Sequence, residues 1–423
     1  MVKKSPKFEE REMHEVLRDY YSVLPVLGGF FPFLHTRGWR IVSLIHYTIM
    51  YSVMILAEVN VAYTTYLVRD RPSLLSQSLH LFIVGLVAMG CSLFLTLQRR
   101  KIKDYTTIFN HQFSMCEYAN NNFFVGISKK TSQLNKVRIL TWFAMYGSCG
   151  VVGILQPVIN SFFDIHFEVI QLNGVWMNLP FLMWCPWDLE KSNTAWFWAF
   201  LFQGVYLSYC AVVVTSAIVM QFNVIDRLLD QFKLITYGVK TLDQRAKIIF
   251  KERYPMLTRK LNKRAYENCF YDCIKQSVLH HLRVGKEYKS FVELSTVPVA
   301  VPFYGGAILL GMAMITMTAD DDPRIGPKFF YGMMAVSEFI NMYLICQAGQ
   351  NFEDITTEMF TALYQTRWYL WPKRTQKALM IMRFGCIRPL KYKCAMLVLN
   401  MELFSELVNS AYSIFNLKAA SSS

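Results

Sequence analysis

Seven stretches of this chain are long and apolar enough to cross a lipid bilayer as helices. A spanning helix needs about 20 consecutive and mainly apolar residues. The stretches are 41–66, 79–97, 139–162, 195–220, 294–318, 329–348 and 394–417, of which the last is the weakest. Charged residues make up 17% of the chain, against roughly a quarter in soluble domains. The sequence therefore predicts an all-α membrane protein with seven transmembrane helices.

The distribution of Lys and Arg predicts which side of the membrane each connecting segment occupies. Segments 1–40, 98–138 and 349–391 hold 22 of these residues, whereas the four alternate segments hold 6. Segment 221–292 is too long to be counted under the positive-inside rule. We therefore expect the N-terminus in the cytoplasm and the C-terminus outside. A net charge of +14 is also found in nucleic-acid-binding proteins, but this distribution of Lys and Arg indicates a protein sorted across a bilayer, so no nucleic-acid partner is predicted.

Orientation and missing motifs argue against several classes of protein. G-protein-coupled receptors have the opposite orientation, and the chain lacks D-R-Y after its third run and N-P-x-x-Y in its seventh. It contains no G-x-x-x-x-G-K-S/T, G-x-G-x-x-G, H-E-x-x-H or G-x-S-x-G, so neither an enzyme nor a cofactor is predicted. Cys269 and Cys273 have no second pair to complete a zinc site, and we interpret them as buried apolar residues. No metal site is predicted.

The predicted cytoplasmic side carries helical segments of its own. Apolar residues recur at helical spacing in 222–232 and 269–295, which predicts amphipathic extensions of the fourth and fifth runs. Such helices need partners to cover their apolar faces, and an oligomer is the natural inference. We divide the chain into an N-terminal cytoplasmic and interfacial segment (1–40), six transmembrane helices (41–348), a cytoplasmic anchor region (349–393) and a seventh-helix region with a short outer tail (394–423).

The seventh run carries a polar stripe. Its polar residues are spaced by 4, 3, 4 and 3 positions, which places them on one helical face: Glu402, Glu406, Asn409, Ser413 and Asn416. Polar groups inside a bilayer are costly unless they face water or protein. The stripe therefore predicts a helix that lines a cation pore, with Leu417 as a hydrophobic gate; the alternative is packing against neighbouring helices.

Two acidic features stand out elsewhere. Asp320, Asp321 and Asp322 form a run in a short outer loop, which we interpret as a solvated turn, with the attraction of cations to an outer mouth as the alternative. Glu338 lies in the middle of the sixth run and is either a structural hydrogen-bond partner or a ligand contact. We favour the structural role.

Several motifs, taken together in order, resemble the insect odorant receptors. In the carboxyl third these are Cys346 and Gly349, then Tyr364 and Trp368, the pair Arg388-Pro389, and Phe404 and Tyr412-Ser413 of the final run. The outer segment LPFLMWCPWD (179–188) is similar to the family's second extracellular loop, and VLGGFFPF near the N-terminus resembles its segment before the first helix.

This resemblance implies an odorant-gated, non-selective cation channel. Family members assemble as heterotetramers in which an odour-tuned subunit joins a shared co-receptor, and the chain resembles a tuning subunit. The expected location is the plasma membrane of an olfactory sensory neuron dendrite. The expected ligand is a small, volatile and mostly apolar molecule.

With that topology, the ligand would lie among the outer halves of the second to sixth helices. The expected ligand-binding residues are His80, Val84, Cys149, Gln156, Asn160, Trp198, Phe202, Tyr206, Phe330, Tyr331 and Met334. The segment LPFLMWCPWD would form a lid above them, because two prolines keep it non-helical while Trp184 and Trp187 suit a pocket roof or the membrane interface.

Two alternatives remain at this point. A gustatory-type receptor is similar, but its family's T-Y-x-x-x-x-x-Q-F ending differs from SAYSIFNLK here. A membrane transporter would explain Pro298, Pro302, Gly305 and Gly306 in the fifth run, but it predicts internal repeats, and the sequence shows none.

Overall fold

The computed structural model of the chain is almost entirely helical. It describes residues 37–98, 121–162, 171–256, 262–318, 322 and 324–421. The α-helices in these ranges are α1 (Arg37–Leu67), α2 (Pro72–Leu97), α3 (Asn121–Ile154), α4 (Gln156–Phe162), α5 (Asn193–Lys240), α6 (Leu242–Arg253), α7 (Lys263–Met317), α8 (Ile325–Gln365), α9 (Lys373–Gly385) and α10 (Met401–Ser421). A 3₁₀ turn, Trp368–Leu370, precedes α9.

Six helices among the described residues are long and apolar enough to cross a membrane, namely α1, α2, α3, α5, α7 and α8. They coincide with the first six apolar runs, and α10 corresponds to the seventh. The predicted all-α membrane fold is confirmed.

Helices α5 and α7 extend well beyond a bilayer. They contain 48 and 55 residues, or about 70 and 80 Å at a rise of 1.5 Å per residue, whereas the hydrocarbon core is about 30 Å thick. The predicted helical extensions of the fourth and fifth runs are therefore present. The first is the C-terminal part of α5, and the second is the N-terminal part of α7. Pro298 and Pro302 lie inside α7 without ending it, so this helix is not discontinuous as a transporter's would be.

These extensions pack into a second core, which continues into the adjoining part of the transmembrane bundle. Leu228 of α5, Ile249 of α6, Cys273 of α7, Phe352 of α8 and Leu379 of α9 are all buried within one apolar cluster. The cysteines are apolar core residues here, and no group of His, Cys, Asp and Glu in the described ranges could hold a metal ion. Burial of these faces explains their amphipathic pattern.

The seventh helix begins later than the sequence predicts. Residues 394–400 are not helical: β4 (Lys393–Cys394) pairs with β5 (Leu397–Val398) in an antiparallel hairpin, with Ala395 in the left-handed region at φ 52°. Helix α10 starts at Met401, and the Asn400 side chain accepts a hydrogen bond from the Leu403 N–H at 3.0 Å. Asn is a favoured N-cap residue, so this boundary had a signal in the sequence.

The third run is likewise not one helix. It is divided between α3 and α4 at Leu155, just before Pro157. Proline lacks the N–H that would bond the carbonyl four residues earlier, and its ring clashes with that carbonyl. The prediction of one span over 139–162 is therefore wrong in this detail.

The segment between α4 and α5 contains a small antiparallel sheet. Its strands are β1 (Gln171–Leu172), β2 (Val175–Trp176) and β3 (Met183–Trp184), in the order β1-β2-β3. Asn173 and Gly174 connect β1 to β2, both with positive φ, as a type I′ hairpin turn requires. The Asn-Gly pair is a known hairpin signal, and it lies outside the predicted lid segment 179–188.

Candidate functional site

A cavity of about 70 Å³ lies inside the transmembrane bundle. Residues of α2, α3, α5, α7 and α8 line it, and most of its wall is apolar. The residues that line it are His80, Leu81, Val84, Val87, Tyr146, Cys149, Gly150, Leu207, Cys210, Ala211, Val214, Pro302, Leu309, Phe330, Tyr331, Met334, Glu338 and Asn341. Along α8 the wall runs from Phe330 to Asn341, or about 16 Å, so the cavity is elongated along the bundle.

The structure brings six of the eleven expected ligand-binding residues to this wall. They are His80, Val84, Cys149, Phe330, Tyr331 and Met334. His80 and Tyr331 meet edge to face, with ring centroids 4.8 Å apart. Both ring nitrogens of His80 are buried without a hydrogen-bond partner.

The other expected residues lie elsewhere. Gln156 is buried in α4 outside the cavity wall, and Phe202 is half-buried. Tyr206 is buried but points to α1. Trp198 is 66% exposed and faces away, because the buried face of α5 runs through Ala199, Gln203 and Leu207 instead. The side chain of Asn160 lies outside the described residues.

Apart from Glu338, eleven residues of the wall were not among the expected ligand-binding residues. They are Leu81, Val87, Tyr146, Gly150, Leu207, Cys210, Ala211, Val214, Pro302, Leu309 and Asn341. Most are ordinary apolar residues without a distinguishing pattern. Glu338, for which a structural role was favoured, is buried, is hydrogen-bonded to Asn341 and also lines the cavity. The sequence signal for Glu338 was the presence of a carboxylate within an apolar run.

A buried ion pair between Asp322 and Arg324 is part of a hydrogen-bond network at the outer end of the bundle. Arg324 donates from Nη2 to Asp322 Oδ2 at 2.7 Å and to Gln77 Oε1 at 2.9 Å, and Gln77 Nε2 donates to Asp322 Oδ2 at 2.7 Å. Arg324 Nη1 also reaches the Met177 carbonyl at 3.5 Å. The Tyr331 hydroxyl donates to the Gln77 carbonyl at 2.9 Å. The network thus fixes a cavity-wall tyrosine to α2.

Asp322 is consequently not a solvated acidic residue. It is 5% exposed, so it cannot attract cations to an outer mouth; Asp320 and Asp321 lie outside the described residues. Burial opposes ionisation of this carboxyl, but the hydrogen bonds and charge of Arg324 outweigh burial and hold the pKa of Asp322 below its ordinary value. Asp322 is therefore ionised at neutral pH and stabilises the folded state as one partner of the pair.

Phe181 of the LPFLMWCPWD segment packs against the cavity wall. Its ring meets that of Phe330 at a centroid distance of 5.2 Å. Its backbone is fixed by Gln203 of α5, which accepts from the Phe181 N–H and donates to the Phe181 carbonyl, both at 3.0 Å. Gly153 leaves room for the two rings, because a Cβ there would lie 2.9 Å from each.

The two tryptophans of the segment have different environments. Trp184 is fixed to α1 by two backbone hydrogen bonds. Its backbone N–H donates to Thr64 Oγ1 at 3.0 Å, and its backbone carbonyl accepts from Asn60 Nδ2 at 2.9 Å. Its ring also meets that of Tyr63 edge to face. Trp187 is 66% exposed. The geometry therefore places Phe181 against the cavity wall, attaches Trp184 to α1 and does not place Trp187 over the cavity.

A buried hydrogen bond joins α1 to α5 beside the cavity. The Tyr206 hydroxyl donates to Glu58 Oε1 at 2.5 Å. Gly85 of α2 makes this possible, because a Cβ at that position would lie 1.5 Å from the same oxygen. Tyr206 thus fixes the packing of three helices and lies outside the cavity wall.

Helix α10 is attached to the bundle by one face and leaves its polar stripe uncovered. Phe404 packs on the rings of Phe339 and Tyr343 of α8, at centroid distances of 5.2 and 5.4 Å. The stripe residues Glu402, Glu406, Asn409 and Ser413 are exposed in the isolated chain. The side chains of Asn416 and Leu417 lie outside the described residues. The uncovered stripe is available to water or to another subunit.

Helices long enough to cross a membrane around a mostly apolar cavity are the arrangement of a membrane protein that binds small molecules. A family model described as 7tm odorant receptor matches residues 71–412. The chain therefore belongs to the odorant receptor family, a family of receptors and not of enzymes. A curated relative, odorant receptor 56a of Drosophila melanogaster, is 24% identical over 147 residues, a match that spans 35% of each chain.

Solved structures show the same fold over the whole chain. The insect olfactory receptor OR5 from Machilis hrabei matches with a TM-score of 0.73 at 11% identity, over 97% of this chain and 98% of that one. The same receptor in complex with eugenol matches with a TM-score of 0.70 at 10% identity, over 97% of each chain. At this identity the likeness shows the fold alone.

Proposed function

We propose that this odorant receptor is a tuning subunit that forms, with a co-receptor, an odorant-gated non-selective cation channel in the plasma membrane of an olfactory sensory neuron. The observation that carries the proposal is the cavity between α2, α3, α5, α7 and α8. Its apolar wall with few polar groups suits a small volatile ligand. A structure of the similar fold holds eugenol, which supports a small organic molecule here.

The contacts of α8 offer a path from the cavity to the pore. Glu338 and Asn341 line the cavity, while Phe339 and Tyr343, on another face of the same helix, pack against Phe404 of α10. A ligand that binds one arrangement of α8 more tightly than another shifts that equilibrium. Because α10 rests on α8, such a shift would also move the polar stripe.

The channel proposal is tested by whole-cell current in a heterologous cell that expresses this chain with an insect co-receptor, under a panel of volatiles. We expect an odour-evoked cation current that persists when G-protein signalling is blocked. Cells with either subunit alone are the controls. Current from this chain alone would show a self-sufficient channel, and silence of co-expressing cells with the protein at the surface would contradict the proposal.

The roof is tested by three alanine variants. Phe181→Ala and Trp184→Ala remove rings that pack on Phe330 and Tyr63, and we expect each to shift the odorant concentration for half-maximal current about tenfold or more, which corresponds to about 1.4 kcal/mol. Trp187→Ala is the matched control, because its ring is mostly exposed. Surface expression should stay unchanged in all three. Equal dose–response curves for Phe181→Ala and Trp187→Ala would refute the roof assignment.

The pore assignment is tested at Glu406. A carboxylate about 10 Å from a passing monovalent cation contributes about 0.4 kcal/mol in water-like surroundings, or about a twofold local enrichment. We expect Glu406→Gln to lower the permeability to calcium relative to sodium, since a divalent ion feels the charge more strongly. Val408→Ala, at an exposed position off the stripe, is the control. A permeability ratio that is unchanged in Glu406→Gln would place this residue away from the conduction path.

A further inference from the structure

The inner end of the cavity contains two buried polar atoms that have no hydrogen-bond partner. They are the phenolic oxygen of Tyr146 in α3 and Oδ1 of Asn341 in α8. Both residues line the cavity. Burial of a polar atom without a partner costs free energy, so each site calls for an explanation, and a ligand that pairs with these atoms supplies one.

The two residues lie at the same level of the bundle. Helices α3 and α8 run in opposite directions, since Gly153 lies beside Phe330 and Cys149 Sγ lies 3.4 Å from Ser337 Oγ. Tyr146 is three residues before Cys149, and Asn341 is four residues after Ser337. At 1.5 Å per residue, both lie about 5–6 Å below that contact.

Glu338 determines which atom Asn341 presents to the cavity. The two side chains are hydrogen-bonded, and a carboxylate oxygen accepts, so the Asn341 amide nitrogen faces Glu338 and its Oδ1 remains free. Gly306 of α7 provides space for the carboxyl group, because a Cβ there would lie 3.1 Å from Glu338 Oε2. The inner end thus offers an acceptor at Asn341 and a hydroxyl that can donate at Tyr146.

One chemical group satisfies both atoms at once. A ligand hydroxyl donates to Asn341 Oδ1 and accepts from the Tyr146 hydroxyl. A ketone or aldehyde oxygen accepts from Tyr146 but leaves Asn341 Oδ1 unpaired, and a hydrocarbon leaves both unpaired. Sites with buried polar groups reject ligands that fail to pair them.

We propose that Tyr146 and Asn341 form a hydroxyl-binding subsite and that this receptor's ligands are small alcohols or phenols, preferred over carbonyl compounds and hydrocarbons of the same skeleton. This rests on the ligand site proposed above. It changes the expected ligand from a mostly apolar volatile to one with a hydrogen-bonding head, which enters the cavity with the hydroxyl innermost. The apolar wall above the subsite contacts the carbon skeleton.

The subsite is tested by direct binding to the purified full-length chain in lipid nanodiscs. The probes are two matched series: one is 1-hexanol, hexanal and hexane, and the other is cyclohexanol, cyclohexanone and cyclohexane. Affinity is obtained from the shift of the thermal unfolding midpoint as the concentration of each probe is raised. We expect the apparent Kd of the alcohols to be about tenfold lower than those of the matched compounds. Tyr146→Phe should remove most of this difference and leave hydrocarbon affinity unchanged. The variant should fold, because the Tyr146 hydroxyl has no hydrogen-bond partner that its removal would leave unpaired.

Tyr288→Phe is the matched control. Its hydroxyl is also buried without a partner, but it lies in the second core against Phe352 and outside the cavity wall. Alcohol selectivity should be unchanged in this variant. Failure of the alcohols to bind, equal affinity for all three probes of a series, or full alcohol selectivity in Tyr146→Phe would each overturn the proposal.

Currents from cells that co-express the co-receptor separate this proposal from the channel proposal. Volatiles that evoke current with no preference for a hydroxyl would leave the channel standing and overturn the subsite. Alcohol binding that depends on Tyr146, together with silence of the co-expressing cells under every alcohol that binds, would support the subsite and contradict the channel.

Discussion

Replacing Arg324 by glutamine should destabilise the receptor by about 3–5 kcal/mol, because it leaves the Asp322 carboxylate buried without its charge partner. Asp322 and Arg324 are 5% and 3% exposed, so water cannot replace the lost contacts. The variant also removes the hydrogen bond from Arg324 to the Gln77 side chain, beside the Gln77 backbone carbonyl that accepts from the cavity-wall Tyr331. We expect a lower thermal midpoint, reduced surface expression and loss of odour-evoked current.

A double-mutant cycle distinguishes loss of the pair from loss of either residue. Asp322→Asn should cost a similar amount, since it leaves a buried guanidinium, and the double variant should cost less than the sum of the two singles. Strict additivity would contradict the pairing. Lys191→Gln is the control, because Lys191 forms an exposed ion pair with Asp188, and exposed pairs contribute about 0–1 kcal/mol.

The ion pair also predicts a pH range. The pKa of Asp322 is lowered in the folded state, so its stabilisation is fully present above the ordinary carboxyl pKa. It is lost as pH falls through the lowered folded-state pKa. The difference in thermal midpoint between the native chain and Asp322→Asn should therefore stay constant from pH 7 to 5. A difference that vanishes within that range would show that Asp322 is not held ionised.

Replacing Gly349 by alanine is expected to displace the seventh helix. A Cβ at Gly349 would lie 1.8 Å from the Leu399 carbonyl oxygen and 2.8 Å from its carbonyl carbon. These are backbone atoms, so no side-chain rotation relieves the clash, and α8 must separate from the start of α10. Overpacking of this kind costs about 1–3 kcal/mol or more. We expect little or no odour-evoked current, measured together with surface expression and the thermal midpoint.

Gly285→Ala is the matched control for this variant. Gly285 is also inside a long helix, but a Cβ there meets no atom within 4 Å. The higher helix propensity of alanine should leave this variant as stable as the native chain or up to about 1 kcal/mol more stable. Native current from Gly349→Ala would show that α8 and α10 are not in the close contact that the structure describes.

Helix packing at α5 shows why sequence reasoning identified only about a third of the residues in the cavity wall. Trp198 and Phe202 were expected to face a ligand, yet the buried face runs one position further along, through Ala199 and Gln203. In a soluble protein, the polar face of a helix would mark the outward side. Here lipid and interior are equally apolar, so the sequence pattern does not distinguish them.

Polar residues inside the apolar runs indicated the cavity wall better than the apolar residues did. Glu338 was singled out because a carboxylate is costly in a bilayer, and it lies in the cavity wall beside Asn341. Tyr146 and Asn341, which give the cavity its hydroxyl-binding end in our proposal, lie on different helices separated by nearly 200 residues in the chain. Their shared level depends on the register of α3 against α8.

The sequence by itself determined the helical class, the positions of six apolar spans, the extensions of α5 and α7 and the polar stripe of α10, because each follows from local composition and periodicity. Tertiary structure alone decided which apolar faces line the cavity, that Phe181 and not Trp187 meets its wall, and that Asp322 is buried with Arg324. These features depend on contacts between segments far apart in the chain. Close packing fixes such contacts, and no local pattern encodes them.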